Sequence, residues 1–145
     1  MNLKFTKITT HAITPTRGSE YSAGYDLYAA TEEPIKIHPG TTKIIWTDIA
    51  MAIPKGMFGA IYARSGVATK RGLRPANCVG ILDSDYRGNI GVALHNDSNQ
   101  EQIVAPHERI AQLVIQPFCS LPLKKVDELD ETERGDGGFG STGAI

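Results

Sequence analysis

The chain has 145 residues, 41% of them hydrophobic and 21% charged, with a formal net charge of -1. That length suits one domain and that composition an ordinary globular fold. A near-neutral chain has no electrostatic footprint for DNA, RNA or an anionic membrane, so local arginines or a metal must meet any anionic ligand. The opening MNLKFTKITTHAITP lacks the apolar core of a signal peptide, and polar residues break every apolar run well short of the ~18 needed to cross a membrane. Cys78 and Cys119 form no C-x-x-C pair, so free thiols in a reducing cytoplasm are expected.

In chain order, LKFTKI alternates with a strand period, and YDLYAA follows Ala23-Gly24. PIKIHPGTTKIIWTDIAMAIPKGMFGAIYA reads as three or four strands, punctuated by Pro39-Gly40 and Pro54-Lys55-Gly56. SGVATKRG holds the one plausible helix, of a turn or two. NCVGILD, GNIGVALHN, EQIVA and IAQLVIQPF continue the strand pattern. Short strands between turn signals predict an all-β sandwich or barrel. The pattern lapses in the tail, where five glycines fall between Gly135 and Gly143. Residues 1–126 are therefore expected to form the β core and 127–145 a flexible C-terminal arm, a frayed end or a lid.

Four segments carry chemistry. In GILDSDYRGN, Asp83 brings a charge to the end of the apparently buried run Cys78–Leu82, and burying a carboxylate without a partner is costly. Either Asp83 starts a β-turn, or it is held on a rigid strand end to handle a proton. ARSGVATKRGLR brings Arg64, Arg71 and Arg74 close to Ser65-Gly66, an anion nest or a solvated turn. In SAGYDLYA, Asp26 stands in a strand where aspartate is disfavoured, so it either satisfies buried backbone donors or helps hold a hard cation through water. In ERIAQLVI, Gln112 caps or reaches into a site. The tail nominally fits G-x-G-x-x-G at Gly135, Gly137 and Gly140, but only five residues follow, too few for the helix a phosphate loop needs. The four histidines have no metal-ligand spacing, no G-x-S-x-G elbow is present, and Arg134-Gly135-Asp136 alone is a weak adhesion signal.

Taken together, AGYDLYAA, ARSGVA, GILDSDYRGN, ERIAQ and RGDGGFGSTG resemble, in order, the five motifs of the trimeric dUTPase family, and they span residues 23–143. The resemblance implies a jelly-roll-like β fold, a homotrimer with shared sites, and Mg²⁺-assisted hydrolysis of dUTP to dUMP and pyrophosphate. That reaction supplies dUMP for thymidylate synthesis and keeps uracil out of DNA. By the same similarity Asp83 matches the base that activates the attacking water. Asn77, the backbone of Gly80, Ile81, Leu82 and Asp83, and Gly91 match the hairpin that reads uracil. Tyr86 matches the residue under the deoxyribose that excludes a 2′-hydroxyl. Arg64, Ser65, Gly66 and Gln112 match phosphate contacts, and Asp26 matches an acid linked to the metal, indirectly through water. Arg134, Phe139, Gly140, Ser141 and Thr142 match the closing arm, with Phe139 stacking on uracil. Asp85 is left as a structural acid.

The chain departs from the common motifs at Ala63, where proline is usual, at Val67, and at His107, where glycine is usual. KRGLRPANCVG also lacks the glycine-rich approach to the hairpin that many relatives carry. A rival reading is a non-catalytic nucleotide sensor or protein-binding regulator, whose mark would be loss of Asp83 or the arm. A second rival is the related dCTP deaminase branch, which needs a base-activating glutamate. Viral and phage members also bind host proteins, so an additional protein partner is compatible with these residues.

Overall fold

The turn signals act where the period places them. Gly40 and Gly56 have φ of 67° and 80°, a region that L side chains rarely adopt. They close hydrogen-bonded turns from Thr41 N–H to the His38 carbonyl and from Met57 N–H to the Pro54 carbonyl, both at 3.1 Å. The computed structural model describes residues 2–138. Among them lie strands β1 (Lys4–Lys7), β2 (Tyr25–Tyr28), β3 (Ile35–Ile37), β4 (Thr42–Trp46), β5 (Ile49–Ala52) and β6 (Met57–Tyr62). Helix α1 (Ser65–Arg71) follows, then β7 (Leu73–Pro75), β8 (Gly80–Leu82), β9 (Gly91–Asn96), β10 (Gln102–Val104) and β11 (Arg109–Pro117). The long central run thus makes four strands, β3 to β6.

Every pairing is antiparallel. One sheet runs β2-β11-β6-β8 and another β4-β9-β7, with the ribbons β1-β5 and β3-β10 beside them. β9 buries Val92, Leu94 and Asn96 in strict alternation, the period-2 face that its sequence predicts. The buried cluster draws on Leu27, Ile37, Ile45, Ile49, Leu73, Val104 and Leu113, so nearly every strand contributes to one core. Asn96 is fully buried but satisfied: its amide donates to the Ile37 and Gln100 carbonyls, and its oxygen accepts from Ser98. The architecture is the jelly-roll-like all-β fold with one short helix that the sequence predicts.

Three details differ from the sequence reading. β7 is an additional strand, because Leu73 and Pro75 are buried against β9 while Arg74 points the other way. β1 is exposed throughout although its sequence alternates, since among the described residues it pairs only with β5. The run from Cys78 to Leu82 is not one buried strand. Cys78 has a left-handed φ of 62°, and Ile81 is 55% exposed.

Gly59 shows how closely the larger sheet is packed. A Cβ there would stand 2.8 Å from Leu113 Cδ1 and 2.9 Å from Ile53 Cδ1. We expect Gly59→Ala to destabilise the fold by about 1–2 kcal/mol, read as a lower urea midpoint with an unchanged slope. An unchanged midpoint would mean that the sheet has slack there.

Candidate active site

β8 ends at Leu82, and Asp83 follows as the first residue of a β-turn closed by Tyr86 N–H on the Asp83 carbonyl at 3.2 Å. The turn-tip reading and the strand-end reading of Asp83 therefore describe one geometry. Arg87 Nη1 donates to the Ser84 and Tyr86 carbonyls and pins the turn. Tyr86 donates its hydroxyl to the Asn89 carbonyl at 2.9 Å, which fixes the ring in the wall of a depression of about 260 Å³. Ile81, Leu82, Asp83, Tyr86 and Gly91 line it, with Gly80 buried beneath. Asn77 stands on the approach, its amide nitrogen 3.3 Å from where a Gly80 Cβ would be.

The far wall was not legible in the motifs. Ile44, Trp46 and Ala93 form it, and Asn89, the last residue of the GILDSDYRGN motif, completes the depression. Trp46 pairs with Gly91 across β4 and β9, and a Cβ at Gly91 would lie 2.8 Å from the indole. A glycine facing an exposed tryptophan on the neighbouring strand was the available signal. Asn89 donates its amide to Asp48 Oδ1 at 2.7 Å, tying the hairpin to the loop after β4.

A second pocket, of about 250 Å³, gathers Asp26, Arg64, Ser65, Gly66 and Gln112 with Gly18, Ser22 and Gly24. Asp26 on β2 and Gln112 on β11 are register partners, and Gln112 faces Tyr62 of β6 on its other side. Gln112 donates to the Ala63 carbonyl at 2.9 Å, which sets its amide beside the start of α1. A Cβ on Gly24 would meet the Gln112 side chain at 2.7 Å, so the glycine makes room for it. Arg64 precedes α1 in an extended conformation, and the first N–H groups of a helix have no intrahelical acceptor. These N–H groups, the Ser65 hydroxyl and the Arg64 guanidinium suit an anion with several oxygens.

Asp26 neither satisfies backbone donors nor stands free. Its carboxylate accepts from Arg64 Nε at 2.8 Å and from Arg109 Nη1 at 3.3 Å, with 13% of the side chain exposed. Arg109, in the ERIAQ segment, is a residue the sequence reading passed over. The three-arginine nest is reduced to one member. α1 is two turns long, and at its far end Arg71 reaches Gln102, Glu108 and the Ile103 carbonyl, while Arg74 pairs with Asp97. The His107 departure also has a physical reading. Its φ of 61° is the left-handed region that explains a glycine preference, and it costs a non-glycine residue about 1 kcal/mol.

The two pockets share no lining residue. β8 runs antiparallel to β6, with Gly80 opposite Ile61 and Leu82 opposite Gly59. Asp83 thus lies beside Phe58, six residues before Arg64, which puts them about 20 Å apart at ~3.3 Å per residue.

Beyond Pro117 the described residues form no strand or helix. Phe118 packs edge-to-face on Phe58, and the chain stays exposed as far as Asp136. Arg134 donates to the Gly137 carbonyl at 2.8 Å, inside its own turn, and joins neither pocket. Phe139, Gly140, Ser141 and Thr142 lie outside the described residues. No helix among the described residues is long and apolar enough to cross a membrane.

The fold and pockets define a class: an all-β domain with a mostly apolar depression at the end of β8 and a separate polar pocket, carrying an arginine and a helix N-terminus, at the start of α1. Residues 10–143 match the dUTPase family model. A deoxyuridine 5′-triphosphate nucleotidohydrolase of Syntrophotalea carbinolica is 41% identical over 99% of this chain and 97% of its own length. The variola virus counterpart is 48% identical over 97% of this chain and 92% of its own. The dUTPase of Staphylococcus bacteriophage 80alpha, solved with dUpNHpp, superposes with a TM-score of 0.86 at 32% identity, covering 99% of each chain. The chain belongs to the dUTPase family.

Proposed function

We propose that the chain hydrolyses dUTP to dUMP and pyrophosphate in a homotrimer whose sites are shared between subunits. The separation of Asp83 from Arg64 along β6 carries this reading. The Asp83 depression of one subunit receives the deoxyuridine, and the Arg64–Ser65–Gly66–Gln112 pocket of a neighbour receives the triphosphate. Asp83 takes a proton from a water aligned with the α-phosphorus. The new P–O bond forms as the bridging bond to the β-phosphorus breaks, and pyrophosphate leaves with the electron pair. Backbone of Gly80 to Asp83 and at Gly91, with the Asn77 amide, reads the uracil edge in a space too tight for a 5-methyl group. Tyr86, held by its bond to Asn89, lies against the sugar and excludes a 2′-hydroxyl. The arm, residues 127–145, brings Arg134 and the hydroxyls of Ser141 and Thr142 to the γ-phosphate and Phe139 over the base.

Mg²⁺ usually combines one or two carboxylates with substrate phosphates rather than an all-protein cage. The second pocket offers one carboxylate, Asp26, already on two guanidinium groups. That donor set fits Mg²⁺ carried on the triphosphate and reached from Asp26 through water. Bound there, the ion would offset phosphate charge.

Pyrophosphate release from dUTP, dCTP, dTTP and UTP, each with Mg²⁺ and with chelator, tests the reading. We expect dUTP to be favoured by about 10²-fold or more in kcat/KM and chelator to slow it. Tight dUTP binding without turnover would replace this reading with the nucleotide-sensing one.

A further inference from the structure

Arg74 lies outside both pockets and outside the five motifs, yet it makes four contacts. Nε and Nη2 grip Asp97 Oδ2 and Oδ1 at 2.5 and 3.0 Å. Nη1 donates to the Pro75 carbonyl at 3.2 Å and approaches Cys78 Sγ at 3.4 Å. The same Pro75 carbonyl accepts Cys78 N–H at 3.0 Å, closing a turn whose third residue is Asn77 and whose last has a φ of 62°. Val79 N–H then bonds the Asn77 carbonyl at 2.7 Å, and the Asn77 amide is left over Gly80, the first residue of β8. Asp97 is itself fixed, because its N–H donates to the carbonyl of Gly72, the left-handed residue that ends α1. The hydrogen bond to Asp97 raises the Arg74 pKa, so the guanidinium stays charged at any working pH.

We propose that Arg74, clamped by Asp97, is a positioning residue for base recognition: it braces the Pro75–Cys78 turn so that the Asn77 amide is presented to the pyrimidine edge. This rests on the reading of Asn77 and β8 as the base-recognising hairpin. An exposed ion pair adds little to global stability. A turn that keeps a non-glycine residue in left-handed backbone without glycine's freedom does need an external brace. Five donors in a fixed planar fork allow one side chain to hold both oxygens of a carboxylate in parallel bonds and a backbone carbonyl as well, a fixed geometry that a rotating ammonium does not reproduce.

The test is steady-state kinetics of the full chain with dUTP and dCTP. Arg74→Ala is expected to raise KM for dUTP about tenfold with kcat within about twofold, and to lower the preference for dUTP over dCTP by a similar factor. Arg74→Lys keeps the charge and should resemble Arg74→Ala; it also carries the test if the alanine variant fails to fold. Asp97→Asn should shift KM in the same direction, and adding it to Arg74→Ala should cost nothing further. Wild-type KM and preference in Arg74→Lys, or a loss confined to the unfolding midpoint, would overturn the proposal. Asn77→Ala separates the two levels. If it leaves the preference intact, the base-reading assignment fails; if it abolishes the preference while Arg74 variants keep theirs, only the brace fails.

Discussion

Asp83→Asn is expected to bind dUTP with near-normal affinity and to turn it over at least about 10²-fold more slowly, the usual effect of removing a general base. The substitution is nearly isosteric. Asparagine is as good a turn residue as aspartate, so the Asp83–Tyr86 turn and the Tyr86–Asn89 bond should persist. Asp83 is exposed and stands outside the buried cluster, so the unfolding midpoint should not fall. Calorimetric titration with dUTP, paired with a pyrophosphate assay, distinguishes lost chemistry from lost binding. Full turnover would remove Asp83 from the mechanism.

Two inactive chains should rescue each other. In the proposed trimer, each site would take Asp83 from one subunit and Arg64 from the next. Asp83→Asn and Arg64→Ala are therefore each expected to inactivate their own homotrimers. In equal mixture, unfolded and refolded together, a site is intact when the Arg64→Ala chain supplies Asp83 and the Asp83→Asn chain supplies Arg64, which is about a quarter of sites under random assembly. Recovery should appear only after subunit exchange. If no mixture recovers, both residues act within one chain, and the ~20 Å between them along β6 would have to be bridged another way. Arg109 keeps Asp26 partnered in the Arg64→Ala chain, so the anion pocket is not left with an unpaired buried carboxylate.

Local pattern was enough for most of the fold. The alternation of β9 and the turns at Pro39-Gly40 and Pro54-Lys55-Gly56 are properties of a few adjacent residues, and they appear where the sequence puts them. β7 was missed because three residues with an arginine and a proline carry no period, and only β9 makes them a strand. The exposure of β1 was missed for the opposite reason: alternation says which residues share a face, not whether anything covers it. The motifs contain Asp83 and Tyr86, which line one pocket, and Arg64 and Gln112, which line the other. They did not reveal that Asp26 is held by two arginines, one of them 83 positions away, or that Arg71 and Arg74 point elsewhere. Side-chain partners of that kind depend on register between distant strands.

The wall formed by Trp46 has a practical corollary. It is the only tryptophan in the chain, it is 48% exposed, and it borders the depression assigned to the nucleoside. Indole emission responds to the polarity around the ring, and a nucleoside entering that space exchanges water on the ring for a heterocycle. The chain therefore carries an optical gauge of its own occupancy, readable without a label and without turnover.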